Sequence, residues 1–360
     1  MARPQTVIIG TGCCIPGRTV GNEEFLGHTF YEGYGQSYPA GATAGIVAKF
    51  HEITNISERR YADDDLVASD LALEAARNAL ASSGTDPETL DYLIVAHNFG
   101  DVRADNRRSD LVPTLAARVK ALLRIANPSC VAYDLPFGCP GWLQAVIQAD
   151  YYLRSGDARR ALVIGAETLS RIADPHDRDS MIYADGAGAV VLEAQEHPDR
   201  VGILAHATRS DTVDHAGLLC MDTSFKQDSG DPMLYLKMQG RKLYEYALAT
   251  VPGVVKESLD KAGLTFTDVA KVLIHQANGK MDEAILKRLH RMYGIRDLPP
   301  GIMPMTVSWL GNSSVATVPT LLDLVLKGRL EGHSLASGNH VVFASVGAGM
   351  NINSVVYRCP

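Results

Sequence analysis

The chain has no run of about 18 consecutive apolar residues, so its sequence predicts no transmembrane helix. We also expect no hydrophobic leader, because Met1-Ala2-Arg3-Pro4-Gln5-Thr6 runs directly into the strand-like Val7-Ile8-Ile9-Gly10. The formal charge is −7 with both signs interspersed, and the absence of a basic face argues against nucleic-acid binding. Together these absences predict a cytoplasmic protein without a membrane or nucleic-acid partner.

Motifs for metals and phosphates are missing as well. The sequence has no HExxH motif and no CxxC pair among its six cysteines, and no G-x-G-x-x-G loop is completed after Gly10-Thr11-Gly12. We therefore expect no metal and no bound cofactor. The cysteines are expected to be reduced thiols in a reducing compartment, and most of them small buried hydrophobic residues.

Apolar strand-like runs alternate with helical patterns along the whole chain, which is typical of an α/β fold. Strands are predicted at Thr6–Gly10, Tyr92–His97, Cys130–Leu135, Ala161–Gly165, Gly188–Leu192, Val201–His206, Lys271–His275, His340–Ser345 and Ile352–Arg358. Helices are predicted at Ser69–Ser83, Leu111–Leu123, Gly141–Arg154, Lys237–Ala262, Met281–Arg291 and Val315–Leu326.

The order of elements is similar in the two halves, which suggests an internal duplication without a residue-level repeat. A boundary within Gln195–Arg200 would divide the chain into residues 1–197 and residues 198–360. Thr29–Gly45 is rich in Gly and Tyr and lacks clear periodicity. We predict that it is a long loop, of the kind that often covers a site.

Cys139 lies between an apolar strand and a helix start, in Asp134-Leu135-Pro136-Phe137-Gly138-Cys139-Pro140-Gly141-Trp142. Pro140 suits the first position of a helix, which places Cys139 at the positive end of that helix. A helix N-terminus stabilises a thiolate by roughly 0.3–2 kcal/mol, so Cys139 is a candidate nucleophile. The alternative is a buried packing cysteine at a strand–helix corner.

His275 and Asn312 extend this candidate site. His275 ends the apolar run Lys271-Val272-Leu273-Ile274, and Asn312 lies in the turn Gly311-Asn312-Ser313-Ser314. Taken singly, His275 fits a structural histidine and Asn312 fits a helix cap. Cys, His and Asn in that chain order, each on a turn after an apolar run, indicate an enzyme that carries acyl groups on sulfur.

Several motifs, in this order along the chain, resemble the β-ketoacyl-ACP synthase III enzymes, which are condensing enzymes of the thiolase superfamily. The resemblance covers nearly the whole chain and implies a duplicated five-layered α-β-α-β-α fold and a homodimer. The motifs are Val7–Gly12, Phe137–Gly141, Asp185–Ala189, His275–Asn278, Gly311–Pro319 and Val346–Gly349.

The resemblance also implies a two-step reaction. Cys139 would accept an acyl group from acyl-CoA or from an acyl carrier protein, while the backbone N–H groups of Cys139 and Ala348 hold the oxyanion. His275 and Asn312 would then donate hydrogen bonds to the enolate that forms when a malonyl-ACP-like extender loses CO₂. Degradative thiolases place a second cysteine where this chain has Val346–Met350, so decarboxylative condensation is favoured.

The substrate contacts implied by the family are only partly present. Arg178 matches an adenine-side arginine and Asn278 a pantetheine-contacting asparagine, whereas Arg241 replaces a second such asparagine. Lys49 and Ile53 stand where the priming enzymes have a CoA-binding Trp and Arg. The departures weaken the case for CoA and favour an acyl donor on a carrier protein.

Val112 falls where acetyl-preferring members carry a Phe from the partner subunit, so the acyl pocket is expected to be longer and the starter not acetyl. Basic residues on the helix after the His-Gln-Ala-Asn motif would contact an acidic acyl carrier protein, although such a face can also be simply solvated. These residues are Lys280, Lys287, Arg288 and Arg291.

Two other functions fit parts of the sequence. A secondary-metabolite ketosynthase would keep the same three residues but condense two acyl thioesters and cyclise them toward a resorcinol precursor. A catalytically silent subunit would bind a partner synthase, but the intact Cys, His and Asn set argues against it. The leading hypothesis is a condensing enzyme of the synthase III type with a non-acetyl starter.

Overall fold

The computed structural model describes residues 4–297 and 299–360 and confirms an α/β fold. The expectation that there is no leader uses residues 1–3 among others, and these three residues lie outside the described part of the chain. Strands β1 to β17 are Gln5–Cys14, Arg18–Gly21, Tyr31–Gly33, Gln36–Ser37, Glu58–Tyr61, Tyr92–His97, Asp101–Val102, Ser109–Asp110, Val131–Pro136, Arg160–Thr168, Asp185–Gln195, Gly202–Ser210, Leu219–Thr223, Leu234–Met238, Val269–Ile274, His340–Gly347 and Asn351–Arg358. Helices α1 to α9 are Thr43–Thr54, Ala68–Ser83, Leu115–Leu122, Gly141–Ser155, Thr212–His215, Gly240–Ala262, Gly279–Met292, Val307–Leu310 and Thr317–Leu326.

Two mixed sheets form the frame of the molecule. The first has five strands in the order β1-β11-β10-β6-β9, and the second has four in the order β12-β17-β16-β15. In each sheet the first two pairings are antiparallel and the following ones are parallel. The second sheet therefore repeats the first over four strands, which is the duplication that the order of elements suggested. The boundary within Gln195–Arg200 stays a prediction.

Helices form three layers around these two sheets. On the outer face of the first sheet, α2 and α3 pack through small apolar residues such as Ala75 and Ala79. Between the sheets, α4 and α9 fill a core in which Val163 of the first sheet and Phe343 of the second take part. On the outer face of the second sheet, α6 and α7 form a third layer. The five-layered α-β-α-β-α arrangement is thus confirmed.

Close approach of α2 to the first sheet depends on a glycine in β1. A Cβ on Gly12 would lie 2.3 Å from the Ala75 carbonyl oxygen, so no larger residue fits there without displacing the helix. The glycine therefore fixes how tightly the outer layer packs. Among the described residues, no helix is long and apolar enough to cross a membrane.

Three predicted elements differ from the structure. The helix predicted from Leu111 begins only at Leu115, because Pro113 lacks an amide N–H and disfavours helical geometry in the residue before it. Lys237 belongs to β14 and not to a helix, because it pairs with distant Asp174 and Asp177. The predicted loop Thr29–Gly45 holds β3, β4 and the start of α1.

The order of elements brings several loops together at one side of the two sheets. The two helices of the middle layer, α4 and α9, both begin on the same side of the sheets, where β6, β9 and β10 of the first sheet and β15 and β16 of the second also end. Loops after these strand ends are therefore brought together.

Candidate active site

Turns at these strand ends and helix starts bring the predicted reactive residues together. Cys139 lies between β9 and α4, His275 directly follows β15, and Asn312 lies between α8 and α9. Ala348 directly follows β16. All four line one cavity of about 240 Å³.

The remaining wall of this cavity is largely apolar. Such a wall can hold an acyl chain without leaving buried polar groups unpaired. Its apolar residues include Leu169, Leu219, Leu236, Met238, Leu243, Met281 and Val346.

The turn that carries Cys139 packs tightly against the turn that carries Ala348. Gly138 has a φ of +68°, and a Cβ there would lie 2.9 Å from the Ala348 nitrogen. A Cβ on Gly347 would lie 2.5 Å from the Cys139 nitrogen. Neither position can hold a Cβ without a clash, so both residues must be glycine. Their small size brings the backbone of Cys139 next to that of Ala348.

The Cys139 side chain is partly exposed to the cavity, and burial opposes its ionisation. Helix α4 starts at Gly141, as predicted, and Pro140 is its N-cap and not its first residue. Burial raises the pKa of the Cys139 thiol to about 11, and the Ser314 hydroxyl acts against that rise. Desolvation thus outweighs the stabilisation expected from the helix start, and the resting side chain is a thiol.

His275 is held by its backbone and its ring is neutral. Its N–H donates to the Ala344 carbonyl oxygen over 2.8 Å, and the side chain is buried. Burial lowers the pKa of His275 to about 4, with the Ser314 backbone acting weakly in the opposite direction. Among the described residues nothing bonds to Nδ1. A neutral imidazole can accept a proton from a thiol or donate a hydrogen bond to a substrate oxygen.

Asn312 is fixed by three hydrogen bonds that leave its amide nitrogen available. Its backbone N–H donates to Ile182 O over 3.0 Å, and its carbonyl accepts from Ala184 N over 2.8 Å. Its Oδ1 accepts from Ser314 N over 2.8 Å. The side chain can therefore be oriented with Nδ2 toward a ligand in the cavity.

A second cavity of about 850 Å³ shares Met238, Leu243 and Asn312 with the first. The larger cavity is therefore continuous with the catalytic one and suits the arm of a substrate. It is lined by all the positions singled out for thioester binding, namely Arg178, Asn278, Arg241, Lys49 and Ile53. Tyr31 and Gly45, from the segment predicted to cover a site, also line it.

The polar residues of this second cavity differ in how many of their hydrogen-bonding atoms already have a protein partner. Arg178 donates to the Tyr38 hydroxyl over 2.9 Å. Asn278 caps α7, with its Oδ1 accepting from Met281 N over 3.1 Å, so its Nδ2 remains for a ligand. Arg241 is highly exposed and forms an ion pair with Glu245 over 3.1 Å.

The other predicted contact residues lie away from both cavities. Val112 is 86% exposed, and it lines neither of the two cavities. The four basic residues of α7 are all exposed, and Lys287 lies 3.5 Å from Glu283. They are Lys280, Lys287, Arg288 and Arg291.

Comparison with known proteins decides the family. Residues 133–212 match the family model for 3-oxoacyl-[acyl-carrier-protein (ACP)] synthase III, and residues 259–359 match the model for its C-terminal part. β-Ketoacyl-[acyl-carrier-protein] synthase III of Erythrobacter litoralis (strain HTCC2594) is 34% identical over 359 residues, which is 98% of this chain and 99% of that protein. The chain belongs to the 3-oxoacyl-[acyl-carrier-protein] synthase III family. It is therefore a condensing enzyme of the acyltransferase type, as the motifs indicated.

Solved structures of synthase III enzymes share its fold. The enzyme from Pseudomonas aeruginosa PAO1 superposes with a TM-score of 0.80 at 27% identity, covering 99% of this chain and 98% of that one. The priming β-ketosynthase of the R1128 polyketide pathway gives a TM-score of 0.79 at 27% identity, covering 99% and 97%.

Sequence reasoning missed three residues around the reactive groups of this synthase III. Ser314 and Asn98 line the catalytic cavity, and Glu167 lies buried behind Asn98. Glu167 was recognisable as an acidic residue near the end of a strand of apolar residues, and Asn98 as the residue after the predicted strand Tyr92–His97. Nothing local in the sequence showed that they meet.

Acid sensitivity is one expected consequence of the buried, neutral His275. Its folded pKa of about 4 lies below the unfolded value of about 6.5, so the unfolded chain binds this proton first. The stabilisation is complete above about pH 6.5 and is lost as the pH falls toward 4, by roughly 2–3 kcal/mol at about pH 4.5. Urea unfolding from pH 4.5 to 7.5 should show this loss in the wild type and not in His275→Gln. Half-buried His197→Gln is the control. Equal pH slopes for the wild type and His275→Gln would contradict the assignment.

Gly347→Ala should disturb the active site through a steric clash alone. Because a Cβ at Gly347 overlaps the backbone of Cys139, we expect a loss of about 1–3 kcal/mol in the free energy of unfolding, together with slower modification of Cys139. Urea titration and thiol alkylation measure the two effects. Gly17→Ala is the matched control, because nothing lies within 4 Å of its Cβ position. Equal stability of the two variants would show that the turns can move apart.

Proposed function

We propose that this condensing enzyme loads an acyl group onto Cys139 and joins it to the carbanion formed when a malonyl group on acyl carrier protein loses CO₂. The observation that carries the proposal is the convergence of Cys139, His275 and Asn312 on one largely apolar cavity. The reaction needs no cofactor, because a thiol, an imidazole, an amide and backbone N–H groups supply every role.

In the first step the acyl group moves from the donor thioester to Cys139. Because the resting residue is a thiol, neutral His275 accepts its proton as the sulfur attacks the carbonyl carbon. The N–H groups of Cys139 and Ala348 stabilise the oxyanion. The donor thiolate then leaves and takes up the proton, so His275 returns to its neutral form.

In the second step the malonyl extender loses CO₂, and its thioester oxygen becomes an enolate. His275 and Asn312 Nδ2 donate hydrogen bonds to that oxygen as the charge develops. The enolate carbon attacks the acyl-Cys139 carbonyl, and the Cys139 thiolate is expelled and reprotonated. A β-ketoacyl thioester leaves on the carrier protein.

The substrate arm is proposed to lie in the larger cavity, where Arg178 and Asn278 offer N–H donors. Lys49 and Ile53 offer no aromatic platform for an adenine, which favours a donor bound to acyl carrier protein over CoA. The exposed basic residues of α7 would attract the acidic carrier protein. A cytoplasmic homodimer, in which Val112 reaches the partner's cavity, completes this proposal.

The starter is proposed to be longer than acetyl. Each additional buried methylene contributes about 0.8 kcal/mol, so kcat/KM should rise roughly fourfold per carbon until the cavity is filled. The test incubates the enzyme with malonyl-ACP and a series of acyl-ACP and acyl-CoA starters, and the β-ketoacyl products are measured by mass spectrometry. Val112→Phe should shift the preference back toward acetyl. A preference of the wild type for acetyl would contradict the longer pocket, and the absence of any decarboxylative product would contradict the function.

A second candidate is a secondary-metabolite ketosynthase that condenses two acyl thioesters and cyclises the product. It is favoured by the altered thioester positions Lys49, Ile53 and Arg241 and by the similarity to a priming ketosynthase of a polyketide pathway. The same assay separates the two candidates when β-ketoacyl thioesters are offered in place of malonyl-ACP. A cyclic product formed only from the β-ketoacyl substrates would favour the second.

A further inference from the structure

Ser314 lines the same cavity as all three reactive residues. Its hydroxyl lowers the pKa of Cys139, and its backbone raises the pKa of His275. Its N–H donates to Asn312 Oδ1 over 2.8 Å. Ser314 also has a φ of +52°, a left-handed conformation that is costly for any residue but glycine. The strained backbone is held in place by its surroundings, which indicates that the position of Ser314 matters for the site.

Behind Ser314, a short polar chain runs into the first sheet. Asn98 Nδ2 donates to Ser314 Oγ over 3.1 Å and also to Glu167 Oε1. Glu167 is 1% exposed and Ser314 is 2% exposed, so water cannot easily substitute for either partner. Gly165, two residues before Glu167, makes this contact between layers possible, since a Cβ there would lie 2.4 Å from the Val315 carbonyl oxygen.

The hydrogen atoms in this chain can be counted. Asn98 Nδ2 has two, and the bonds to Glu167 Oε1 and Ser314 Oγ use both. Ser314 Oγ therefore accepts from Asn98, and its single hydroxyl hydrogen must point elsewhere. The Cys139 sulfur, which lines the same cavity, is a neighbour toward which this hydrogen can point. Burial raises the pKa of Glu167 to about 8, and in either protonation state the carboxyl group has an oxygen that accepts from Asn98 Nδ2. This acceptor opposes rotation of the Asn98 amide, which would let Ser314 donate to Asn98 Oδ1 instead.

We propose that Glu167 is a positioning residue which, through Asn98, holds the Ser314 hydroxyl as a hydrogen-bond donor to the Cys139 sulfur. The inference rests on the proposed function in taking Cys139 as the nucleophile. Its chemical consequence is that a donor to the sulfur stabilises the thiolate more than the thiol. The three residues thereby offset part of the desolvation that opposes ionisation of Cys139.

The test is the rate at which Cys139 is alkylated by iodoacetamide between pH 7 and 9, followed by peptide mass mapping. In this range the rate is proportional to the thiolate fraction, so a weaker thiolate gives a lower rate. Ser314→Ala, which keeps both backbone contacts, should react about tenfold more slowly at pH 8. Glu167→Leu should also react about tenfold more slowly than Glu167→Gln, which removes the same charge but keeps an acceptor oxygen for Asn98.

The decisive comparison is made in the Ser314→Ala background. If Glu167 acts through Ser314, then Glu167→Leu and Glu167→Gln should differ by less than about twofold once the hydroxyl is gone. A tenfold difference that persists there would overturn the proposal, as would equal rates for the two variants in the presence of Ser314. Circular dichroism and thermal melting identify any variant that has not folded, and for such a variant Asn98→Leu replaces Glu167→Leu. Alkylation uses no acyl substrate. The alkylation rates can therefore be interpreted even if the condensation assay shows no product.

Discussion

Replacing Cys139 with alanine should lower condensation by at least about a thousandfold and abolish covalent acyl loading, because Cys139 is the thiol whose backbone N–H lies next to that of Ala348 in the cavity shared with His275 and Asn312. Intact-protein mass spectrometry after incubation with acyl thioesters measures the loading, and peptide mapping locates it. The wild type should gain the mass of one acyl group on the peptide that contains Cys139.

The cavity contains a competing thiol, which makes the mapping necessary. Cys220 lines the same cavity and is exposed, whereas Cys139 is the thiol that lies beside His275 and Ser314. Cys359→Ala is the matched control, because Cys359 lies in neither catalytic nor substrate cavity of the described chain. Loading that persists in Cys139→Ala, or that maps to Cys220, would contradict the assignment of the nucleophile.

Asn312→Asp should separate the two half-reactions. Aspartate keeps the oxygen that accepts from Ser314 N–H, so the turn is retained, but it places a carboxylate where the amide donor faced the substrate. A negative charge opposite a developing enolate is expected to lower condensation by about 10²–10³-fold. Acyl loading of Cys139, which needs no donor from Asn312, should change by less than about fivefold.

The measurement pairs a loading time course with single-turnover condensation of the preloaded enzyme. Asn312→Ala is the companion variant, since it removes the donor without adding charge and should lose less activity than Asn312→Asp. Equal losses in loading and in condensation would place Asn312 in the first step. An unchanged condensation rate would remove it from the reaction.

Local sequence patterns correctly predicted those strands and helices that are determined by neighbouring residues. The strand Tyr92–His97 has the predicted bounds because it is a continuous apolar run, and helix α4 starts at Gly141 as expected after Pro140. The helix predicted from Lys237 begins only at Gly240, and Lys237 belongs to a strand whose side-chain partner Asp174 lies 63 residues away. The fold class followed from the alternation of such elements, and the duplication followed from their order.

The reactive residues were recognisable from motifs, but their support was not. The contact of Asn98 with Glu167 spans 69 residues and its contact with Ser314 spans 216 residues. No periodicity or spacing in the sequence reveals a contact between the ends of two strands, or between a strand end and a distant turn. The effect of burial on the pKa of Cys139 was also not foreseen, because the position of a helix start can be predicted from the sequence and desolvation cannot.

Because the second sheet repeats the first, residues of the site can be paired according to their equivalent positions in the two repeats. Strands β6 and β15 are equivalent, each being the parallel neighbour of the matching strand in its own sheet. The residue that follows β6 is Asn98, and the residue that follows β15 is His275. Likewise Cys139 precedes α4 and Ser314 precedes α9, the two helices of the middle layer.

The same holds for the remaining pair, since Glu167 lies at the end of β10 and Gly347 at the end of the equivalent strand β16. Three pairs of residues thus occupy equivalent positions in the two repeats: Asn98 and His275, Ser314 and Cys139, and Glu167 and Gly347. In the first two pairs one member is a reactive residue, and the other belongs to the group proposed to position Cys139. The duplication thereby supplies a reactive and a supporting residue from the same structural position, which a single unduplicated unit would lack.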